Sequence, residues 1–154
     1  MKKYLIVILA ILLLVGCNVK DTDNSSKNEN NKKEEVSNYV TVNLFHWNSC
    51  SHCKEEITWL EGLKEKRNNL KINYYEVSEQ PELVALIREE FGIDNESVPL
   101  TVIGTDYVLG FGGAAKTKIM NLIDQYGEFE YCDLVSLVKN GEETEACYQK
   151  NNQN

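Results

Sequence analysis

Two cysteines separated by two residues are the strongest chemical feature of the sequence. Cys50 and Cys53 enclose Ser51 and His52, after an apolar run and at the start of a helical pattern. A helix amino terminus presents free N–H groups and a partial positive charge, which favour a thiolate over a thiol. Because the thiolate is the reactive form of cysteine, this placement makes Cys50 a better nucleophile. Since the short spacing lets Cys53 close a small disulfide, we predict a reversible dithiol/disulfide pair.

The same region offers a second kind of chemistry. His46, Cys50, His52 and Cys53 are ligand types that a soft metal ion such as Cu(I) or Zn²⁺ accepts. A buried core histidine is the commoner outcome for His46, because it lies inside the apolar run. Disulfide exchange needs no metal, so we predict no metal and no diffusible cofactor. Delivery of a soft metal such as copper is one alternative function, and a binding module with a purely structural disulfide is another.

Apolar periodicity predicts the elements that position these cysteines. Four strands are predicted at residues 39–46, 70–77, 100–103 and 107–111. Three helices are predicted at residues 54–67, 81–91 and 115–126. Among the charged residues of the first helix, Glu55 and Glu56 are predicted to face water.

The order of these elements predicts an α/β fold. The first strand, the first helix and the second strand form a βαβ unit, whose right-handed crossover makes the two strands parallel. The last two strands form an antiparallel hairpin. We therefore expect a four-stranded mixed sheet flanked by three helices over residues 39–127. Residues 128–154 would form a C-terminal extension, in which the apolar residues Leu134, Val135, Leu137 and Val138 predict one short helix.

In this arrangement residues 39–125 resemble the thioredoxin superfamily, and in particular its minimal, glutaredoxin-like core. The motifs that carry the resemblance are Cys50-Ser51-His52-Cys53, Val98-Pro99 and Gly110-Phe111-Gly112-Gly113. The resemblance implies a cis peptide bond before Pro99, with the substrate chain docked on the Val98-Pro99 loop. It also implies that Cys50 attacks, that Cys53 resolves, and that a mixed disulfide with a cysteine-containing protein substrate is the intermediate. The implied activity is that of a thiol–disulfide oxidoreductase.

Two features set this chain apart within that resemblance. A histidine directly before the second cysteine is similar to the periplasmic disulfide oxidases, so Ser51 and His52 are predicted to tune the Cys50 thiolate. We expect a reduction potential above that of thioredoxin, on a scale from about −270 to about −120 mV. Leu44 occupies the place of the buried acid of thioredoxins, and Ser49 the place of a tryptophan. Glu76 on the neighbouring strand is one candidate for the missing acid, although an exposed edge position is equally compatible with the pattern.

The amino terminus reads as a targeting segment. A basic start at Lys2 and Lys3 precedes an apolar run that ends in Leu14-Val15-Gly16-Cys17. This resembles a bacterial lipobox, in which the chain is cut before the cysteine and that cysteine is lipidated. Residues 1–16 are therefore predicted to be a signal peptide, and residues 17–38 a lipidated Cys17 followed by a flexible polar tether. The alternative is an uncleaved signal anchor.

The targeting segment and the charge predict where the protein works and with what. Lipidation of Cys17 predicts a protein anchored to the cell membrane on its extracytoplasmic face, where a membrane redox partner would reset it. The net charge is −8, with 24 acidic against 16 basic residues. Because such a surface repels phosphate backbones, we predict no nucleic-acid partner. A monomer is expected.

Four cysteines remain if Cys17 carries lipid, and they allow three pairings. Proximity in the sequence favours Cys50–Cys53 and Cys132–Cys147, and export permits stable disulfides. A Cys132–Cys147 bond is predicted to be structural, worth about 3 kcal/mol by loop-closure entropy. The alternative is a second redox pair that relays electrons to Cys50 and Cys53.

Overall fold

Residues 38–153 are described by a computed structural model of the protein. The predicted signal peptide, the predicted lipidation site Cys17 and the predicted tether up to residue 37 lie outside the described residues. Within residues 38–153, none of the helices has the length and apolar character needed to cross a bilayer.

Four strands and five helices make up this part of the chain. The strands are β1 Val40–His46, β2 Leu70–Glu76, β3 Leu100–Ile103 and β4 Asp106–Leu109. The helices are α1 Ser51–Lys64, α2 Pro81–Glu90, α3 Gly113–Gly127, α4 Leu134–Asn140 and α5 Glu145–Asn151. The order of the four strands and of helices α1 to α3 matches the prediction.

The strands form one mixed sheet in the order β2-β1-β3-β4. β1 runs parallel to β2, with Val40 opposite Leu70, and antiparallel to β3, with Phe45 opposite Leu100. β3 and β4 form the predicted antiparallel hairpin. The predicted four-stranded mixed sheet flanked by three helices is therefore confirmed.

Alternate side chains of the central strand β1 supply two hydrophobic cores. One core lies under α1 and α3, and its buried members are Val40, Val42, Leu44, Leu60, Leu70, Ile103, Val108, Ile119, Leu122, Ile123 and Tyr126. The other lies under α2 and α4, and its buried members are Phe45, Val77, Leu83, Val84, Ile87, Leu100, Val102 and Val135. Since burial of one such side chain contributes roughly 1.5–3 kcal/mol, the two cores hold the carboxyl end of β1 firmly between helices.

Helix α1 begins earlier than the periodicity predicts. The sequence places its start near Lys54, whereas the helix begins at Ser51 with Cys50 as its N-cap. The Cys50 sulfur accepts a hydrogen bond from the Cys53 backbone N–H at 3.2 Å. A cysteine sulfur here does what a serine or aspartate oxygen does at most helix starts, so the first turn forms inside the Cys-x-x-Cys motif.

Strand β4 ends earlier than predicted. The sequence extends it to residue 111, but the strand stops at Leu109 because Gly110 has φ 78°. That left-handed conformation is open to glycine and does not continue a strand. The Gly110 N–H instead donates to the Pro99 carbonyl at 2.7 Å, which holds the following glycine-rich loop beside the proline.

The C-terminal extension contains two helices where the sequence predicts one short helix. The predicted helix is α4, which ends at Asn140 and is followed by the C-cap Gly141 with φ 69°. The unpredicted helix α5 buries Cys147 and Asn151. It has no apolar stripe, so periodicity gives no signal for it. A disulfide with a Cα–Cα distance of 5.3 Å joins Cys132 to Cys147.

Candidate active site

The Cys50–Cys53 disulfide lies where β1 turns into α1. The two Cα atoms are 5.3 Å apart. Cys50 is half-buried at the helix start, and Cys53 is fully buried with 0 % of its surface exposed. An external thiol or disulfide can therefore approach Cys50, while Cys53 is shielded within the fold. This asymmetry is what an attacking and a resolving cysteine require.

The cis-proline predicted from the family resemblance lies beside this pair. The Val98–Pro99 peptide bond is cis. Because Phe45 pairs with Leu100 across β1 and β3, Pro99 lies next to His46, at the same end of the sheet as the cysteines. The structure thus brings Val98 and Pro99 to the site as the sequence predicts. Their role in docking a substrate stays a prediction.

The two residues between the cysteines are exposed. The His52 side chain is 66 % exposed, and its Nδ1 lies 3.8 Å from Glu55 Oε2. An exposed pair of this kind contributes little, because water and salt screen it. In the described part of the chain, the hydrogen bond found at the Cys50 sulfur comes from the Cys53 backbone and not from His52. The tuning role of Ser51 and His52 stays a prediction.

Glu56 is the site residue that sequence reasoning missed. It was expected to face water, but this expectation is wrong, since 0 % of its surface is exposed. Residues three apart lie on the same face of a helix, so Glu56 is on the face of α1 that carries Cys53. One carboxyl oxygen accepts a hydrogen bond from the Thr101 hydroxyl of β3. The other oxygen, Oε2, is buried and has no partner within residues 38–153.

Burial dominates the protonation of Glu56. Desolvation raises the pKa of its carboxyl to about 7, and the Thr101 hydrogen bond opposes the shift without cancelling it. The neighbouring Tyr74 hydroxyl has a raised pKa for the same main reason, helped by its hydrogen bond to Glu61 and by the charge of Glu56. A carboxyl that titrates near neutral pH can both give and take a proton there.

The signal for Glu56 was present in the sequence. Cys53, Glu56 and Leu60 recur at a spacing of three and then four, and all three are buried residues of α1. Polarity alone predicts an exposed Glu56, whereas its position on the helix predicts a buried one. Leu44, at the position where the resemblance implies a buried acid, is itself buried in the core under α1.

Glu76 does not take the role that the sequence allowed it. Its side chain is buried, and the pKa of its carboxyl is lowered and not raised. Its Oε1 accepts the Asn48 N–H at 3.3 Å, and its Oε2 accepts the Ser78 N–H at 2.7 Å. The further hydrogen bond from the Ser78 hydroxyl is the largest cause that lowers the pKa of this carboxyl. Glu76 therefore stays ionised and ties two loops together.

His46 is buried, as expected for a core position. Its Nδ1 has no hydrogen-bond partner in the part of the chain that the structure describes. The ring meets the edge of Tyr74 at a centroid distance of 6.3 Å. Across residues 38–153, no three histidine, cysteine or acidic side chains come together in a group that could hold a metal ion.

The second disulfide lies at the other end of the sheet. Asn151 brackets Cys132, accepting its N–H at 2.8 Å and donating to its carbonyl at 3.0 Å. Asn151 also donates to Thr105 in the β3–β4 turn, which lies at the amino end of β1. A seven-residue strand such as β1 separates the two ends by roughly 20 Å.

These features together define the architecture. The fold is thioredoxin-like. The strand order, the disulfide at the β1–α1 turn and the cis-proline opposite it carry this conclusion. No family model matches the sequence, and no curated protein matches it.

Several solved structures are similar in fold at low identity. A structure on the thiol resolving mechanism of yeast mitochondrial 1-Cys peroxiredoxin is 18 % identical, with a TM-score of 0.44 over 60 % of this chain and 84 % of the other. Oxidised mitochondrial thioredoxin 3 from Saccharomyces cerevisiae is 22 % identical, with a TM-score of 0.41 over 60 % and 83 %. A glutaredoxin from Archaeoglobus fulgidus is 24 % identical, with a TM-score of 0.40 over 55 % and 86 %.

Proposed function

We propose that the protein is a thiol–disulfide oxidoreductase that exchanges disulfides with protein substrates through Cys50 and Cys53. The observation that carries the proposal is the setting of the pair, at a helix amino terminus with a cis-proline beside it and a buried acid on the same helix face. Cys50 is accessible at a helix amino terminus beside a cis-proline, and Cys53 is fully buried on the helix face that also carries the buried carboxyl group of Glu56. A disulfide that only stabilised the fold would need neither a cis-proline beside it nor a buried acid on the same helix face.

The first step in the oxidising direction is attack on the accessible sulfur. A substrate thiolate attacks Cys50, a new bond forms between the two sulfurs, and the Cys50–Cys53 bond breaks. The bonding electron pair leaves on Cys53, which becomes a buried thiolate. Protonated Glu56, on the same helix face, is the group placed to give it a proton.

The second step releases the substrate. A second substrate thiolate attacks the substrate sulfur of the mixed disulfide, and Cys50 leaves as a thiolate stabilised by the start of α1. The substrate has lost two electrons and the Cys50–Cys53 pair has gained them. In the reducing direction the same steps run backwards: ionised Glu56 takes the proton from Cys53, and the resulting thiolate attacks the Cys50 sulfur of the mixed disulfide and releases the substrate thiolate.

The location belongs to the proposal as well. The lipobox-like Leu14-Val15-Gly16-Cys17 supports a protein anchored by Cys17 to the extracytoplasmic face of the cell membrane. A membrane redox partner that exchanges electrons with Cys50–Cys53 would then return the pair to its starting state. Cys17→Ser should abolish incorporation of labelled fatty acid and release the protein from the membrane fraction.

The chemical test is to trap the intermediate. Reduced Cys53→Ser protein mixed with a disulfide-bonded substrate should accumulate a mixed disulfide at Cys50, identified by mass spectrometry. The Cys50→Ser variant should accumulate none at Cys53, because that sulfur is buried. Equal trapping by both variants, or by neither, would contradict the assigned roles.

A further inference from the structure

A cleft beside the cysteine pair takes no part in the exchange steps themselves. Its volume is about 320 Å³, and it lies at the carboxyl ends of the parallel strands β1 and β2. Ligands of open α/β sheets bind outside the carboxyl ends of the strands. Residues that line the cleft include Trp47, Val77, Pro81, Val84, Arg88 and Glu96.

Two walls of this cleft belong to the segments that form the exchange site. The Trp47 carbonyl accepts the Cys50 N–H at 3.1 Å, so both residues share one tight turn. Arg88 Nη2 donates to the carbonyl of Ser97 at 3.3 Å, and Ser97 directly precedes Val98 and Pro99. A polypeptide that lies on the cis-proline loop and reaches the Cys50 sulfur therefore passes the cleft.

The cleft is held open by Glu76. Its carboxylate bonds the backbone of Asn48, next to Trp47, and the backbone and hydroxyl of Ser78. Because the Trp47 loop and the Ser78 loop are joined in this way, the apolar wall is formed before any ligand arrives. Trp47 is 36 % exposed, which leaves apolar surface for a bound chain to cover.

The cleft also holds a cation that has no anionic partner. Within residues 38–153, Arg88 forms no salt bridge, and its Nε atom is buried without a hydrogen-bond partner. Among the lysines and arginines of residues 38–153, Arg88 is the one whose side chain has a buried nitrogen without a hydrogen-bond partner. The guanidinium group matches a carboxylate in geometry and charge. Glu96 lies on the exposed rim and would repel an acid on its own side.

We propose that this cleft binds the segment that flanks the reactive cysteine of a protein substrate, with a carboxylate of that segment on Arg88. An apolar side chain of the same segment would pack on Trp47 and Pro81. The protein would therefore prefer cysteines with an acidic residue close by. This inference rests on the proposed exchange function and names the substrate class of the same site.

The test uses the oxidised protein and a set of peptides that each contain two cysteines. One glutamate is placed in turn at each of three positions on either side of the first cysteine, and each peptide has a matched glutamine version. The rate constant for reduction of Cys50–Cys53 is measured for every peptide. We expect one position at which glutamate reacts roughly tenfold faster than glutamine, as for a charge-assisted hydrogen bond. The preference should shrink as salt is added.

Four variants decide whether Arg88 causes the preference. Arg88→Gln should remove the rate preference for the glutamate peptide, and Arg88→Lys should keep part of that preference. Glu96→Gln, an exposed change that leaves the fold alone, should increase it. Lys116→Gln removes a cation that lies 4.9 Å over the Phe111 ring, away from the cleft, and should leave it unchanged.

The possible failures are distinguishable. If glutamate and glutamine peptides react equally at every position, or if Arg88→Gln retains the preference, the inference about the cleft is overturned while exchange itself stands. If no peptide reduces Cys50–Cys53 faster than it reduces a small unstrained disulfide, the proposed exchange function fails instead. A preference that is lost with Lys116→Gln would assign the selectivity to the other flank and would also overturn the inference.

Discussion

The two disulfides of this protein have the same distance between their Cα atoms but differ in the residues that surround them. Both have Cα–Cα distances of 5.3 Å, and both join one half-buried to one buried cysteine. Cys50–Cys53 lies at the start of α1, and Glu56 is buried on the face of that helix that carries Cys53. Cys132–Cys147 closes a longer loop and is held by the side chain of Asn151. The surroundings, and not the distance between the cysteines, distinguish an exchange site from a staple.

Position on the sheet strengthens this contrast. The first pair lies at the carboxyl end of β1, and the second lies near the β3–β4 turn at the amino end. A separation of roughly 20 Å along the strand is too long for direct exchange between sulfurs. The placement therefore favours a structural role for Cys132–Cys147 over the relay that the sequence left open.

Removing the second disulfide should produce the largest effect on stability. We expect Cys132→Ala combined with Cys147→Ala to lower the free energy of unfolding by about 3 kcal/mol, because the unfolded chain regains the entropy of its closed loop. Turnover per folded molecule should change less than about twofold, within the range of a substitution remote from a site. Denaturant titration and an exchange assay on the same sample measure both. Loss of turnover in a double variant that is still folded would instead support a role of Cys132 and Cys147 in relaying electrons to Cys50 and Cys53.

The buried acid of the first site should make stability depend on pH. The folded pKa of Glu56 is raised to about 7 from 4.5, so the native state binds more protons than the unfolded state between these values. The free energy of unfolding of the oxidised wild type should therefore fall as pH rises from 4.5 to 7. This fall should be about 3 kcal/mol larger than the fall in Glu56→Gln. The neighbouring Glu55→Gln is the matched control, and it should keep the wild-type slope. Parallel curves for wild type and Glu56→Gln would mean that Glu56 does not titrate as its burial implies.

The same residue should affect the exchange rate. Without the carboxyl of Glu56, Cys53 loses its proton donor and acceptor, and we expect Glu56→Gln to slow turnover by about 10²-fold near neutral pH. In the Cys53→Ser background, adding Glu56→Gln should not change the rate at which reduced Cys50 forms a mixed disulfide with the substrate, because that step involves no proton of Cys53. A uniform slowing of both steps would instead indicate a distorted helix start.

The smallest effect is expected from the exposed histidine. Since His52 points to solvent beside Glu55, we expect His52→Ala to change the exchange rate by about threefold or less, in line with other screened surface charges. The pKa of Cys50, followed by thiolate absorbance, is the sharper readout. A rise of more than about one unit would show that His52 stabilises the thiolate despite its exposure.

Much of the fold could be predicted because periodicity reports burial directly. Alternation along β1 and the spacing of Leu83, Val84 and Ile87 on α2 are signals that tertiary contacts reinforce. Cys50–Cys53 and the cis-proline were predicted from a motif and a resemblance. Helix α5 was missed because its two buried residues, Cys147 and Asn151, form no hydrophobic pattern.

The acid of the site could not be predicted by polarity alone. Glu56 is buried between α1 and the sheet, where Thr101 donates to it, and only its spacing from Cys53 and Leu60 indicates this burial in the sequence. The pKa of Glu76 is lowered instead, because the hydrogen bonds from Ser78 and Asn48 stabilise its charged form. Whether the pKa of a glutamate is raised, as for Glu56, or lowered, as for Glu76, depends on contacts between elements that are far apart in the sequence.

The most direct test compares the two disulfides in one experiment. The protein is equilibrated in glutathione buffers of stepped potential, free thiols are alkylated, and the labelled cysteines are identified by mass spectrometry. We predict that Cys50 and Cys53 become labelled together, at a potential above about −270 mV, while Cys132 and Cys147 stay unlabelled. A Cys50–Cys53 bond that resists reduction throughout, or that is reduced only together with Cys132–Cys147, would contradict the assignment of one exchange site and one staple.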